Sequence, residues 1–402
     1  MLHVVGGVYE EHCDEPHWKQ LFGSGGRAAA AVTKLLSGKV ALHTYSPSSA
    51  IGGVEALASV FRFRVKCSTA RVRPIFRYVH GLSIPNISPH PSAIRHELPI
   101  HLDAPNILRF GMLEGDAVVR GDRVVYDPQS PIQPRPFHEN GSSARRLAIV
   151  VNRAEGKVLT GQTDGVAIAQ TLIRKHRAAV AVVKEGPHGA VVCEGKLISR
   201  IPAYKTPSVF PIGSGDVFSA VFASQWAEKR KSAHSSAFAA SIAVSNYCNT
   251  KALPISPTSL KKPKFPAINL ARTRRKRPLV YLAGPFFDLA QRWLIHESRA
   301  ALSSVGLRVF SPFHDVGRGS AEDVAPADIA ALRKCDGVFA IMDGLDSGTL
   351  FEVGFARALG VPVVVLCERE GEEQLKMLVG SGCVMRTDFV SAIYEISWQC
   401  LK

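Results

Sequence analysis

The sequence predicts an α/β protein of more than one domain, with sheets that are largely parallel and covered on both faces. Short, nearly unbroken apolar runs recur along the chain: "LAIVV", "AAVAVVKEG", "PLVYLAG", "LRVFSP", "DGVFAIMDG" and "VPVVVLCE". Such runs, flanked by Gly or Pro and separated by helical stretches, are what strands buried on both sides look like. At 402 residues the chain exceeds what one apolar core usually organises, so two or three domains are expected.

The opening stretch "MLHVVGGVYEEHCDE" meets acidic residues after a very short apolar run. It reads as a first strand and not as a secretion signal. No apolar run reaches the roughly 20 residues a membrane helix needs. Eight scattered cysteines, with no C-x-x-C pair and no His cluster at ligand spacing, read as reduced core residues of a cytoplasmic protein without a structural metal.

Within residues 1–258, "GSGGRAAAAV" (23–32) places glycines at a helix start. Residues 47–145, rich in Pro, His and Arg, carry little periodic signal. "NRAE" (152–155) follows the strand "LAIVV", and "VVKEGPHGA" (182–190) is a strand ending in a glycine turn. "PIGSGDVFSAVFA" (211–223) is a glycine turn running straight into a helix, with Asp216 at its mouth. Backbone N–H groups of Gly213, Ser214 and Gly215 at such a helix start suit phosphate oxygens, although an Asp near a helix start is also a common cap.

This set resembles the ribokinase or PfkB family of sugar and nucleoside kinases, which implies a ribokinase-like α/β fold for residues 1–258. On that resemblance Asn152 and Glu155 organise metal and phosphate, Gly213, Ser214 and Gly215 form the anion hole, and Asp216 is the base; Mg²⁺ and ATP are then the cofactors of this half. The sequence departs from the family where Phe210, Pro211 and Ile212 precede the glycine turn, and where only Glu10 or Glu11 stands for the acidic residue that grips sugar hydroxyls.

The formal charge of +15 is partly collected in "KKPKFPAINLARTRRKRP" (261–278), with eight Lys or Arg and no acid. Proline, charge and lack of periodicity make 259–278 a linker. Without interleaved aromatic residues it does not read as a nucleic-acid site.

From Leu279 strands and helices alternate regularly, and ligands of open parallel sheets bind beyond the strand carboxyl ends. Three loops converge there: the one after "YLAG", "SPFHDVG", and the turn Ser347-Gly348-Thr349. Glu352, just past that turn, has two readings: an acid favoured by a helix start, or a reactive carboxylate. The helix is expected to turn Phe351, Phe355 and Ala356 toward the core.

Residues 279–402 resemble the nucleoside 2-deoxyribosyltransferase family and its hydrolytic relatives. The resemblance rests on "YLAGPFF", on Asp328 eight residues before Asp336, and on "DSGTLFEVGFA" with Glu352 twenty-four residues after Asp328. It implies a flavodoxin/Rossmann-like parallel-sheet domain, no cofactor, and transfer or hydrolysis at a nucleoside's N-glycosidic bond.

By that resemblance Glu352 is the nucleophile, Asp328 delivers a proton or positions the base, and Tyr281 orients Glu352. Gly284, Pro285, His314, Asp315 and Gly348 contact substrate. Asp346 accepts from the sugar 5′-hydroxyl, which favours nucleosides over nucleotides because a carboxylate repels a 5′-phosphate. The alternative is an effector that depletes a nucleotide pool, such as NAD, with the kinase-like half as a non-catalytic sensor. The tail "FVSAIYEISWQCLK" carries Phe389, Ile393, Tyr394, Ile396 and Trp398 on one helical stripe. Such a stripe needs cover, either from its own domain or from a neighbour in a homo-oligomer.

Overall fold

The computed structural model describes residues 1–130, 133–268, 277–317 and 319–401. Residues 269–276 of the basic segment lie outside the described residues. The chain divides into two compact units, residues 1–267 and 268–402.

The first unit contains strands β1 (Leu2–Val5), β2 (Glu10–Glu15), β3 (Trp18–Leu21), β4 (Val40–Ser46), β5 (Arg64–Thr69), β6 (Ile75–His80), β7 (Asn86–Ser88), β8 (Ile100–Asp103), β9 (Asn106–Phe110), β10 (Ala117–Asp127), β11 (Ser143–Asn152), β12 (Val180–Lys184), β13 (Ala190–Glu194) and β14 (Leu197–Ile201). Its main helices are α1 (Gly23–Val32), α2 (Ile51–Phe61), α3 (Arg153–Thr160), α4 (Gly165–Lys175), α5 (Ser214–Ala223) and α6 (Ala233–Thr250).

The large sheet runs β14-β13-β12-β11-β10-β9-β1-β4-β5, with β8 added beside β10. Pairing is parallel from β5 to β12, and β13 and β14 close the far edge as an antiparallel pair. Its central strands read as continuous apolar runs because helices cover both faces. Val150, Val182, Leu108 and Val4 pack toward the core shared with α1, α5 and α6, while Ile149, Val151, Val183 and Ile107 face the core shared with α4.

A second, four-stranded sheet, β3-β2-β6-β7, accounts for part of the stretch that lacks periodicity. Its strands are short, and several of their residues, among them Arg77, Val79 and Asn86, are exposed.

The second unit is an all-parallel five-stranded sheet in the order β16-β15-β17-β18-β19, from β15 (Leu279–Ala283), β16 (Arg308–Phe310), β17 (Gly337–Ile341), β18 (Val363–Leu366) and β19 (Val384–Arg386). Helices α7 (Leu289–Ser304), α8 (Pro312–Asp315), α9 (Ala321–Leu332), α10 (Ser347–Ala358), α11 (Glu372–Gly380) and α12 (Phe389–Gln399) complete it. This is a flavodoxin-like strand order, and it reverses direction between β15 and β17. The crevice beyond that reversal is where such sheets take ligands.

Helix α12 packs on β17, β18, β19 and α7 of the same unit. Phe389, Val390, Ile393, Ile396 and Trp398 are all buried there. A Cβ placed on Gly337 of β17 would meet Cys400 Sγ at 2.7 Å and Ile396 Cδ1 at 2.8 Å, so the approach is close. The tail's apolar stripe is therefore covered within its own unit. Among the described residues no helix is long and apolar enough to cross a membrane.

Candidate active sites

In the second unit, β15 brings Tyr281 to the reversal point as a fully buried side chain. Its hydroxyl donates to Glu352 Oε1 at 2.5 Å. Glu352 projects from α10, whose N-cap is Asp346, with Asp346 Oδ2 accepting from Thr349 N and Oγ1, both at 2.8 Å. Glu352 is thus six residues past the cap, beyond the single turn over which a helix dipole acts.

The electrostatics separate the two readings of Glu352. A helix start would lower a carboxyl's pKa, whereas this one is pushed up to about 7, chiefly by burial, with the charges of Asp328 and Asp346 adding to it and the Tyr281 hydrogen bond opposing it. A carboxyl whose pKa is raised by burial in a cleft is a candidate functional group.

Asp328 shares a cavity of about 220 Å³ with Glu352 and Gly348, walled by Val324, Ile329 and Phe351. Asp328 Oδ1 is buried with no hydrogen-bond partner among the described residues, and burial raises its pKa too. Phe351 is 59% exposed and stands at this cavity. The expectation that it packs inward is corrected: Thr349, Val353 and Ala356 are the buried residues of α10.

The other expected residues do different things. Asp336, at the start of β17, accepts from Leu279 N at 2.8 Å and ties two strands together. Gly284 lets the end of β15 approach Ile295 and Ile341, where a Cβ would sit 3.1 Å from each, and Pro285 beside it is buried. His314 bonds Ser311 Oγ at 3.0 Å and His296 at 2.9 Å, and Asp315 binds Arg299 at 2.9 Å and Ser311 N at 2.8 Å. None of Gly284, Pro285, His314 and Asp315 lines the cavity that holds Glu352.

In the first unit, a cavity of about 510 Å³ is lined by Tyr9, Glu11, Phe76, Tyr78, Glu114, Asn152, Glu155, Lys184 and the turn Gly213–Asp216. Asn152 and Glu155 form a reciprocal cap on α3: Asn152 Oδ1 accepts from Glu155 N at 2.9 Å, and Glu155 Oε2 from Asn152 N at 2.8 Å. Lys184 donates to Asp127 Oδ2 at 2.7 Å. The turn before α5 has Gly213 at φ +77, a left-handed conformation suited to glycine. Ser214 N donates to Pro211 O at 2.9 Å, so the expectation that this N–H waits for a phosphate oxygen is corrected.

Sequence reasoning missed Arg27. It is fully buried, its guanidinium bonded to both Glu11 oxygens and, at 2.9 Å, to Asp216 Oδ2. Gln129 Nε2 donates to Asp216 Oδ1 at 2.6 Å. The signal was present: one charge in the small-residue run "GSGGRAAAAV" must be paired if the helix is buried. Of the two acids expected on the first strands, Glu11 points inward to Arg27, while Glu10 bonds His12 at 3.1 Å.

Fold and sites together define a two-unit α/β protein with an acid-lined cavity in each unit. Residues 122–256 match the family model described as pfkB family carbohydrate kinase. Residues 280–385 match the one described as Nucleoside 2-deoxyribosyltransferase. The chain therefore carries a PfkB-like segment followed by a deoxyribosyltransferase-like segment.

Among similar solved structures, phosphofructokinase-2 from Escherichia coli in complex with potassium is 14% identical, covering 65% of this chain and 97% of that one, with TM-score 0.47. Ribokinase from Thermotoga maritima is 15% identical over 65% and 97%, with TM-score 0.46. A pyrophosphate-dependent kinase in the ribokinase family, complexed with a pyrophosphate analog and myo-inositol, is 16% identical over 65% and 99%, with TM-score 0.42. No curated protein matches the chain.

Proposed function

We propose that the second unit cleaves or transfers at the N-glycosidic bond of a nucleoside, with Glu352 as nucleophile. The observation that carries this reading is a half-buried carboxyl, held by the Tyr281 hydroxyl at 2.5 Å, in one cavity with the incompletely bonded Asp328. Breaking the bond builds positive charge on the anomeric carbon. A facing carboxylate stabilises that charge and can capture it.

In the proposed reaction a Glu352 oxygen forms a bond to the anomeric carbon as the C–N bond breaks. The bonding pair leaves with the base, which takes a proton from Asp328. Water or a second base then gives a proton to the now ionised Asp328 and bonds to the anomeric carbon as the ester C–O bond breaks, which frees Glu352. The chemistry needs only carboxyl groups and calls for no cofactor.

Asp346 Oδ2 serves the helix cap, leaving Oδ1 as the proposed acceptor for a sugar 5′-hydroxyl. With Asp328, Asp346 and Glu352 near the cavity and no basic side chain among its described lining residues, nucleosides are favoured over 5′-phosphates. A homo-oligomer enters this reading through the family resemblance alone, since the tail is covered in its own unit. Chromatography of products from 2′-deoxynucleosides, ribonucleosides and NAD tests the proposal. Free base from nucleosides is expected; nicotinamide release without nucleoside cleavage would favour the nucleotide-depleting alternative.

A further inference from the structure

Phosphoryl transfer in the first unit would need a reachable base and cations for the phosphates, and its residues do not fit that task. Both oxygens of Asp216 accept hydrogen bonds, from Arg27 at 2.9 Å and Gln129 at 2.6 Å. A substrate hydroxyl would have to share an oxygen that already accepts a charge-assisted bond, beside a guanidinium paired with the same carboxylate. Arg27 is also wedged beneath the glycine turn: a Cβ on Gly213 would fall 2.2 Å from its Nε.

The cations are committed in the same way. Arg27 is shared by Glu11 and Asp216, and Lys184 by Asp127. Glu114 and Glu155, which line the same cavity, form no ion pair among the described residues. Burial pushes Glu114 up to about 7. A polyphosphate entering here would meet unpaired carboxyls and no uncommitted cation among the described lining residues.

What the cavity does offer is aromatic surface and hydrogen-bonding carboxyls. Tyr9 and Phe76 are stacked with centroids 4.2 Å apart, and Tyr78 lines the same space. A volume of about 510 Å³ is in the range of small-molecule sites. We propose that this cavity is a receptor for an uncharged polyhydroxylated ligand, a free sugar or a nucleoside, and that it transfers no phosphoryl group.

The test uses the full chain. Wild type is incubated with γ-labelled ATP, Mg²⁺ and panels of sugars and nucleosides, and no label transfer above the Asp216→Asn background is expected. In parallel, the Glu352→Gln chain, chosen to suppress turnover, is followed by hydrogen exchange while pentoses, hexoses, nucleosides and nucleoside 5′-monophosphates are titrated. Protection of β6 and of residues 111–116 by an uncharged ligand is expected, with 5′-monophosphates weaker by about ten-fold or more because of their added charge. Protection by sugars alone or by nucleosides identifies which of the two sources is used. Mg²⁺-dependent label transfer that Asp216→Asn abolishes would overturn the proposal. So would protection confined to residues 320–355, absence of protection by every uncharged ligand, or equal or tighter binding of the monophosphates at β6. Asp216→Asn should also lower the thermal midpoint by several degrees, as loss of a buried ion partner does.

Discussion

Glu352 is held in a state that costs stability. Its pKa is about 7 in the folded chain, against an ordinary value near 4.3 when unfolded. Between those values the native state holds a proton that the unfolded state has released, so stability falls as pH rises through that window. Above pH 7 the full penalty applies, roughly 4 kcal/mol from the size of the shift. Glu352→Gln should therefore melt higher than wild type at pH 8, with the difference disappearing near pH 4, as thermal denaturation across pH will show. The same titration should shape the rate: kcat/KM should rise with pH through about 7 as the nucleophile ionises. In Tyr281→Phe the hydrogen bond that lowers the Glu352 pKa is gone, so that rise should move to higher pH. An unmoved profile would detach Tyr281 from the nucleophile.

Among the elements, α9 and α10 hold the two acids of the proposed reaction and α12 completes the core of the second unit. Asp328→Asn on α9 should slow substrates with poor leaving groups most, because these need protonation. Equal losses across leaving groups would make Asp328 positional. Removing α12 uncovers β17 and β18, so a chain ending at residue 388 should lose its second unit's cooperative melting transition. Mixing it with Glu352→Gln should restore no activity, since the tail completes a core and not a neighbour's site. The strands of this unit were legible as apolar runs because both faces of a parallel sheet are buried, and Tyr281, Asp328 and Glu352 were singled out by the motifs that carry the family resemblance. The roles of His314 and Asp315 were not, because the partners of residues in so short a helix, here Ser311, His296 and Arg299, depend on tertiary packing. Arg27 was hidden for the same reason: Asp216, its partner, lies 189 positions away.

On the scale of the whole molecule, each unit holds its own apolar core, as independently folding domains do. A fragment of residues 277–402 should fold and retain the glycosidic activity, which circular dichroism and the product assay will establish; an inactive but folded fragment would mean that the first unit contributes to the reaction. The charge of +15 is not collected at either cavity: Lys184 is the one basic residue among the described lining of the first, and the described lining of the second has none.

The central claim is that Glu352 forms a bond to the sugar. The most direct measurement is intact mass and peptide mapping of protein quenched during turnover, or after reaction with a 2-fluoro-substituted nucleoside that slows release of the glycosyl enzyme. A mass increase of one glycosyl group, located at Glu352 and absent from Glu352→Gln, is the predicted result. Base release at the wild-type rate by Glu352→Gln, or a glycosyl adduct on another residue, would contradict it.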